Sequence, residues 1–529
     1  MRTATVLALA LALGLAACAT ELVCPQGETN CNGRCAALGS DAGNCGSCGH
    51  ACASTSICAA GSCAACAPDT TRCGDVCAVL AIDPAHCGAC GNACGAAQVC
   101  TSTGGTTACK SACDGGLTAC DRACADLQTS RFHCGACGSA CAVGQTCSAG
   151  ICRADLQVAC GATDEVVPLA ADLAPAGSGR SVTAGLTALA QLDGAVYTVS
   201  GYPVATVDLL SPDLRVAAPL RTVPLAGSDL EAVAVHDGAL FVANATANAL
   251  DVLSLQGTVL DEIPLGNQQA GLNPRSLAFA GSSAYVALGG YDDTTGQAVA
   301  VVSLSGLAAC TALDPSPPTC GVGAPCAVDR HCVDGVCRPF CGALDHAIDL
   351  KGVPGAFDAP GAPFPSRGVA VGAKVYVTLN NLKYSTACGG YSGWCEPAGH
   401  GRLAVIDAAN ADAVSIVDLG PSCGSPGGIA VDGTTLWIAC GALSFPTAWP
   451  GRVLPVEIGG TPTVGVALDP SPVVPNAIVF CGGVGYLPGM SNGLVGRFDP
   501  VTGAFGAPAD VCPVGPYGFS YVADLACTP

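Results

Sequence analysis

One arrangement of eight cysteines is written three times between Cys24 and Cys152, and it limits what that third of the chain can fold into. Cys24, Cys31, Cys35, Cys45, Cys48, Cys52, Cys58 and Cys63 read C-x6-C-x3-C-x9-C-x2-C-x3-C-x5-C-x4-C. Cys66, Cys73, Cys77, Cys87, Cys90, Cys94, Cys100 and Cys109 repeat it with a last gap widened around Gly104-Gly105. Cys113, Cys120, Cys124, Cys134, Cys137, Cys141, Cys147 and Cys152 return to the first spacing. Such short, cysteine-dense segments with few large apolar residues cannot bury enough surface to fold unaided, so cross-links must supply the constraint.

The Cys45-x2-Cys48 pair and its counterparts Cys87-x2-Cys90 and Cys134-x2-Cys137 also have the spacing of half a zinc site. Zinc needs thiolates and a reducing compartment, whereas export favours disulfides, and the N-terminus argues for export. Arg2 and the apolar run Ala4 to Leu13 form a signal segment too short to span a membrane. Leu15-Ala16-Ala17-Cys18 resembles the bacterial lipoprotein signal box, which implies cleavage before Cys18 and lipid on that residue. A lipid-bearing Cys18 would hold the protein on a membrane without spanning it, and Ala19 beside it favours the outer membrane. The four bridges expected in each module can be drawn in about 105 ways, and spacing selects none of them.

The core Cys-Gly-x-Cys-Gly-x-Ala-Cys (Cys45 to Cys52, Cys87 to Cys94, Cys134 to Cys141), with its Cys-x5-Cys-x4-Cys tail, resembles the stigma-specific cysteine-rich family of secreted proteins. The resemblance implies extracellular structural or interaction modules and no chemistry. With 20 Lys+Arg against 40 Asp+Glu, the net charge of −20 makes nucleic acid and anionic membrane surfaces poor partners.

After Cys152 the texture changes to short Val/Ala/Leu/Tyr runs between Gly-, Pro- and Asp-rich turns, the pattern of an all-β domain. Leu230 to Asn244 reads as strand, Asp237-Gly238 turn, strand. The same hairpin recurs at Thr187 to Thr198 around Asp193-Gly194, Arg275 to Ala287, Arg367 to Thr378, Gly427 to Ala439 around Asp432-Gly433, and Asn476 to Leu487 around Gly482-Gly483. A seventh begins at Tyr517. Third and fourth apolar segments follow most hairpins, and four strands per unit at spacings mostly of 41 to 49 residues predict a β-propeller. Seven blades are favoured, and six remain open. Leu240 to Asn244 with Asn248 to Val252, and Val375 to Thr378 with Leu403 to Asp407, resemble the YVTN family of surface-layer propellers. The predicted order is a signal peptide (1–17), a tether (18–23), three cysteine-rich repeats (24–63, 66–109, 113–152) and a propeller (155–529).

The unfinished seventh unit predicts closure by strands from both ends, with Val166 to Leu169 beside Phe519 to Val522 and Cys160 bonded or close to Cys527. Two insertions interrupt the blades. One carries Cys310, Cys320, Cys326, Cys332, Cys337 and Cys341, and its Cys326-x5-Cys332-x4-Cys337 copies the module tail; the whole insertion spans 310–341. The other, Tyr384 to Gly401, holds Cys388 and Cys395 with Tyr391 and Trp394 between them, a candidate binding tip or an edge cover.

Most signatures of catalysis are missing: there is no His-Glu-x-x-His, phosphate loop or dinucleotide fingerprint. His86 and His133 precede equivalent cysteines where the first module has Asn44, which reads as a tolerant surface position. Aligned hairpins place Thr187, Glu231, Arg275, Arg367, Gly427, Asn476 and Tyr517 at the start of each innermost strand, as a ring at one channel mouth. Of these, Glu231, Arg275, Arg367 and Asn476 are candidate ligand residues for an anionic or polar group, against the plainer role of solvating a channel. The leading expectation is a lipid-tethered surface protein that presents a propeller head to a glycan or protein ligand, with no cofactor and no metal. The alternatives are a lactonase-like propeller hydrolase and a structural envelope or metal-scavenging protein.

Overall fold

The computed structural model describes residues 24–527 apart from 67–69, 104–105, 142–144, 215, 267–270, 293, 313–316, 322–324, 385–393 and 442–450. The chain divides between Gly138 and Ser139 into two compact units. Both are built of strands, with one five-residue helix, Leu307–Thr311, and one 3-10 turn, Leu350–Gly352, among the described residues.

Each cysteine module is a set of short hairpins held by interlocking bridges; the first two lie in the first unit, and the division falls within the third. The first module pairs Cys24–Cys35, Cys31–Cys48, Cys45–Cys58 and Cys52–Cys63. The second repeats this order with Cys66–Cys77, Cys73–Cys90, Cys87–Cys100 and Cys94–Cys109, and the third begins the same way with Cys113–Cys124 and Cys120–Cys137. Of the many pairings that spacing left open, the fold uses first with third, second with fifth, fourth with seventh and sixth with eighth. Cys45 and Cys58, and likewise Cys87 and Cys100, lie buried where an apolar core would sit.

The modules are also tied to one another. Arg122, in the turn of the third module, donates from Nη2 to the Cys94 and Gly95 carbonyls and from Nε to that of Gln98. Its own carbonyl accepts from Cys100 N–H, so one residue closes a seam between modules. Arg72 reaches from the second module to the Ala53 carbonyl of the first. The His86 and His133 positions are not merely tolerant: Nδ1 of each accepts the N–H of the glycine five residues on, Gly91 and Gly138, as the Asn44 Oδ1 does for Gly49. What this position requires is a hydrogen-bond acceptor, which Asn and neutral His share.

The second unit holds seven four-stranded antiparallel sheets. Six follow the chain, with innermost strands Leu186–Leu192, Leu230–His236, Pro274–Ala280, Pro365–Val371, Pro426–Asp432 and Val479–Cys481. The seventh joins both ends of the unit: Val522–Cys527 pairs with Leu156–Cys160, which pairs with Glu165–Leu169. Each innermost strand packs against the next, and that of the seventh sheet against the first, so the sheets close as the blades of a seven-bladed propeller. Seven buried apolar clusters fill the gaps between successive blades, for example Leu240 and Val242 against Val199 and Val207. The closing gap holds Ala159 and Val166 against Leu186 and Val196.

Closure differs from the sequence expectation in three details. The strand beside the C-terminal strand is Leu156–Cys160, and Val166 to Leu169 lies one place further out. A strand carrying Gln157 and bordered by Asp155 is hidden from a reading of apolar runs. Cys160 bonds Cys512 and Cys527 bonds Cys481, so the two are not partners. In the ladder Cys160 stands opposite Val522 and Leu156 opposite Cys527, which separates the two sulfurs along the strands. The fifth blade's hairpin turns on Gly433-Thr434, since Asp432 is still paired with Thr435; Gly433 alone has positive φ.

The longer insertion grows between the third and fourth strands of the third blade, Ala298–Ser303 and Ala343–Asp349. It pairs Cys320–Cys332 and Cys326–Cys337, which are the fourth–seventh and sixth–eighth bridges of a module, and Cys310–Cys341 closes its base. It is half a cysteine module. His331 from this insertion lies 3.0 Å from the buried Asp261 of the second blade and stacks on Phe340 at 4.4 Å.

Candidate functional site

Ring geometry at the channel mouth comes from a backbone irregularity that recurs around the propeller. The first strand of each of the first five blades enters its hairpin through a β-bulge, and the register passes over Thr187, Glu231, Arg275, the pair Ser366-Arg367, and the pair Gly427-Gly428. A bulged residue is left out of the ladder and its side chain is re-aimed. In the closing blade the residue passed over is Ala523, because Ala159 pairs with Asp524 and Cys160 with Val522. Tyr517 therefore does not belong to the ring: it lies in the turn before the strand, 85% exposed. The alignment of the seventh unit was displaced because Tyr517 to Val522 imitates the apolar pattern of a strand while only Val522 begins one.

Glu231, Arg275, Arg367, Gly427 and Asn476 do come together, around a cavity of about 120 Å³ shared with Phe364, Ser366, Asn380 and Met490. Thr187 does not join them; its hydroxyl is spent on the Leu230 and Val199 carbonyls. Arg275 Nη2 is 3.8 Å from Glu231 Oε2, and its guanidinium lies over the Phe364 ring at 5.3 Å. Both contacts hold the arginine side chain in one place. Phe364 is itself fixed by its N–H, which donates to the buried Gln297 Oε1 at 2.7 Å. Asn380, fully buried, accepts from Ser425 Oγ at 2.9 Å.

Arg367 also lines a second space of about 200 Å³ further along the axis, with Ser276, Gly368, Gly428, Ala477 and Asp524. Burial raises the Asp524 carboxyl above the usual carboxylate range, opposed by the charge of Arg367 and by N–H groups of Leu525 and Leu189. Ser276 Oγ is buried there without a hydrogen-bond partner among the described residues. At the rim, Asp229 is raised by burial and by the neighbouring charge of Glu231, while Tyr291 O–H donates to its Oδ2 at 3.3 Å. Burial and the same two carboxylates push the Tyr291 hydroxyl up to about 12.

Asp229, Tyr291, Phe364, Asn380, Met490 and Asp524 were missed by sequence reasoning. Tyr291, Asn380 and Met490 follow the second strand of their blades, where the chain returns to the mouth, so the rule that found the ring could have been applied to those loops as well. Cys18 and Tyr391 lie outside the described residues, as do Cys388 and the side chains of Trp394 and Cys395. The backbone of Trp394 is in a strand, Trp394–Pro397, paired with Leu382–Tyr384. The described cysteines, Cys160 and Cys527 among them, are all disulfide-bonded. The three-sulfur groups Cys45/Cys52/Cys63 and Cys87/Cys94/Cys100 are neighbouring bridges of this kind.

These features define an all-β, disulfide-rich protein whose second unit is a seven-bladed propeller with a polar, arginine-lined mouth. Such extensive cross-linking fits an extracellular or secreted protein. Among the described residues no helix is long and apolar enough to cross a membrane. Residues 102–155 match the stigma-specific STIG1-like protein family. No curated protein matches the chain.

Solved structures that resemble it include a putative 6-phosphogluconolactonase from Bacteroides fragilis, at 13% identity and TM-score 0.46, covering 71% of this chain and 97% of that one. A streptogramin B lyase resembles it at 12% identity and TM-score 0.40, covering 65% and 94%. The β-propeller domain of Myceliophteria thermophila Cps50 (Swd1) does so at 11% identity and TM-score 0.39, covering 62% and 87%. Likeness at this level says nothing about ligand or reaction.

Proposed function

We propose that this is an exported, lipid-anchored surface protein in which disulfide modules carry a propeller head that binds a ligand at its channel mouth. The observation that supports a binding role is the convergence of Arg275, Arg367 and Asn476 on one cavity. Arg275 is pre-positioned by Glu231 and Phe364, so little side-chain freedom is lost when it meets a ligand. A lone solvating residue would not need that support.

The test is binding of the purified exported protein to arrays of surface glycans and extracellular-matrix proteins, alongside R275Q and R367Q. A ligand held at the mouth is lost in both variants; ligands bound equally by wild type and variants would refute the site. Anchoring is tested separately by Cys18→Ser, which should release the protein from membranes into the soluble fraction and abolish incorporation of labelled fatty acid.

A hydrolytic reading rests on one feature, the adjacent carboxylates Asp229 and Glu231, of which Asp229 is raised toward the protonated state. Such a pair can divide acid and base roles. Turnover of a lactone panel that is lost in Asp229→Asn would favour it.

A further inference from the structure

The cavity between Arg275 and Arg367 is about 120 Å³, well below the roughly 300 Å³ at which pockets begin to enclose a whole small molecule. It has room for one functional group. Two guanidiniums beside the Asn476 amide suit a planar carboxylate, and Arg367 carries no ion pair of its own among the described residues. A ligand anchored there must lay the rest of its body across the surface outside.

That surface holds a row of aromatic rings. Tyr517, Phe519 and Tyr521 occupy alternate positions, with ring centroids 6.3 Å and 6.1 Å apart and planes within 20° and 25° of each other. Tyr517 is 85% and Phe519 52% exposed, an unusual price in solvent contact for two adjacent large rings. The inner end of the row is braced, because the Tyr521 ring lies against Gly161 so closely that any side chain there would collide with it. Backbone links that end to the cavity lining: Val522, the next residue, donates its N–H to the Gly489 carbonyl, and Met490 lines the cavity.

We infer that the mouth and the aromatic row form one site for an acidic oligosaccharide. A hexuronate carboxylate would sit between Arg275 and Arg367, and successive sugar rings would stack on Tyr521, Phe519 and Tyr517. This rests on the binding reading above and names its ligand class. Near-equal ring spacing favours a ligand with a repeating ring over a peptide, whose side chains alternate in direction and differ in kind. The exposed rings of Tyr517 and Phe519 suit the C–H faces of sugars. The overall charge of −20 disfavours dense polyanions, so the acidic group must be met locally, as two arginines in a small niche do.

Titration calorimetry of the whole exported protein with a short hexuronate oligosaccharide, its methyl ester and the neutral hexose counterpart tests the assignment. Wild type should bind the hexuronate about tenfold more tightly than the ester or the neutral sugar. Phe519→Ala, which removes only an exposed ring, should weaken binding by about tenfold, and R367Q should abolish the preference for the acid over its ester. The ester comparison uses unaltered protein and does not depend on variants folding. Equal binding of acid and ester with a silent Phe519→Ala, while R275Q and R367Q still lose an array ligand, overturns this inference and leaves the binding reading standing. Preference for peptides ending in a carboxylate overturns the sugar class. Absence of any ligand sensitive to R275Q or R367Q overturns both.

Discussion

Asp251 accepts a hydrogen bond from Asn244 Nδ2 at 2.8 Å inside the second blade, where both side chains are buried. The same Asn244 amide donates to the Ala226 carbonyl, so the pair ties two strands to the loop before the blade. Burial raises the Asp251 carboxyl to about 7, the Asn244 hydrogen bond opposes this, and the charges of Glu262 and Asp261 add to it. Between the unfolded value near 4 and the folded value near 7, the folded state binds a proton that the unfolded state does not. Stability contributed by this group is therefore complete below about pH 4 and is lost as pH rises through about 7, with a limiting slope of about 1.4 kcal/mol per pH unit. Urea unfolding at pH 5 and pH 8 should show a smaller difference for Asp251→Asn than for wild type; an unchanged difference would refute the assignment.

The Cys160–Cys512 bridge fastens the N-terminal strand of the propeller to the segment that follows its sixth blade. Replacing both cysteines by alanine should cost about 2–4 kcal/mol and open the closing blade before the others. Hydrogen exchange of the Leu156–Cys160 amides checks it: protection there should fall further than in Leu230–His236.

In the cysteine modules, His86→Asn should be silent, since Asn44 already fills the equivalent position, and His86→Ala should cost about 1 kcal/mol by leaving the Gly91 N–H without its acceptor. Resistance to reduction by dithiothreitol, compared for wild type, His86→Asn and His86→Ala, reports the difference.

Arg122→Ala removes donors to three carbonyls across the seam between the second and third modules. Each module keeps its own bridges, so the expected effect is confined to the joint. Limited proteolysis should cut variant protein between Cys109 and Cys113, and wild type far more slowly.

Much of this molecule could be read in advance because its regularities are repeated. Asp-Gly or Gly-Gly turns at Asp193, Asp237 and Gly482 located hairpins whose strands pack as read. Asn244 and Asp251, singled out as part of a strand motif, proved to be bonded to each other. What escaped was set by tertiary context. Bridge partners depend on the path of the chain and not on spacing alone. Leu156–Cys160 gives no apolar alternation because the strand is covered on both sides and buries Gln157, whose amide oxygen meets the buried Arg180. Ala523 and Asp524 could not be assigned to the mouth until the bulge between Ala159 and Cys160 fixed their register.

Because the seventh blade takes its innermost strand from Val522–Cys527 and its second from Leu156–Cys160, the ring has no finished form until Val522–Cys527 has been delivered. A nascent chain crossing a membrane in N-to-C order would hold Leu156–Cys160 as an unmatched edge throughout the passage of more than 350 residues. Its Cys160 thiol would meanwhile be surrounded by the cysteines of three modules already free to oxidise. The bridges inside those modules join cysteines no more than 17 residues apart among those described, whereas the partner of Cys160 lies 352 residues away. In the order in which the protein is assembled, the compact knots upstream thus have both partners at hand long before Cys160 does.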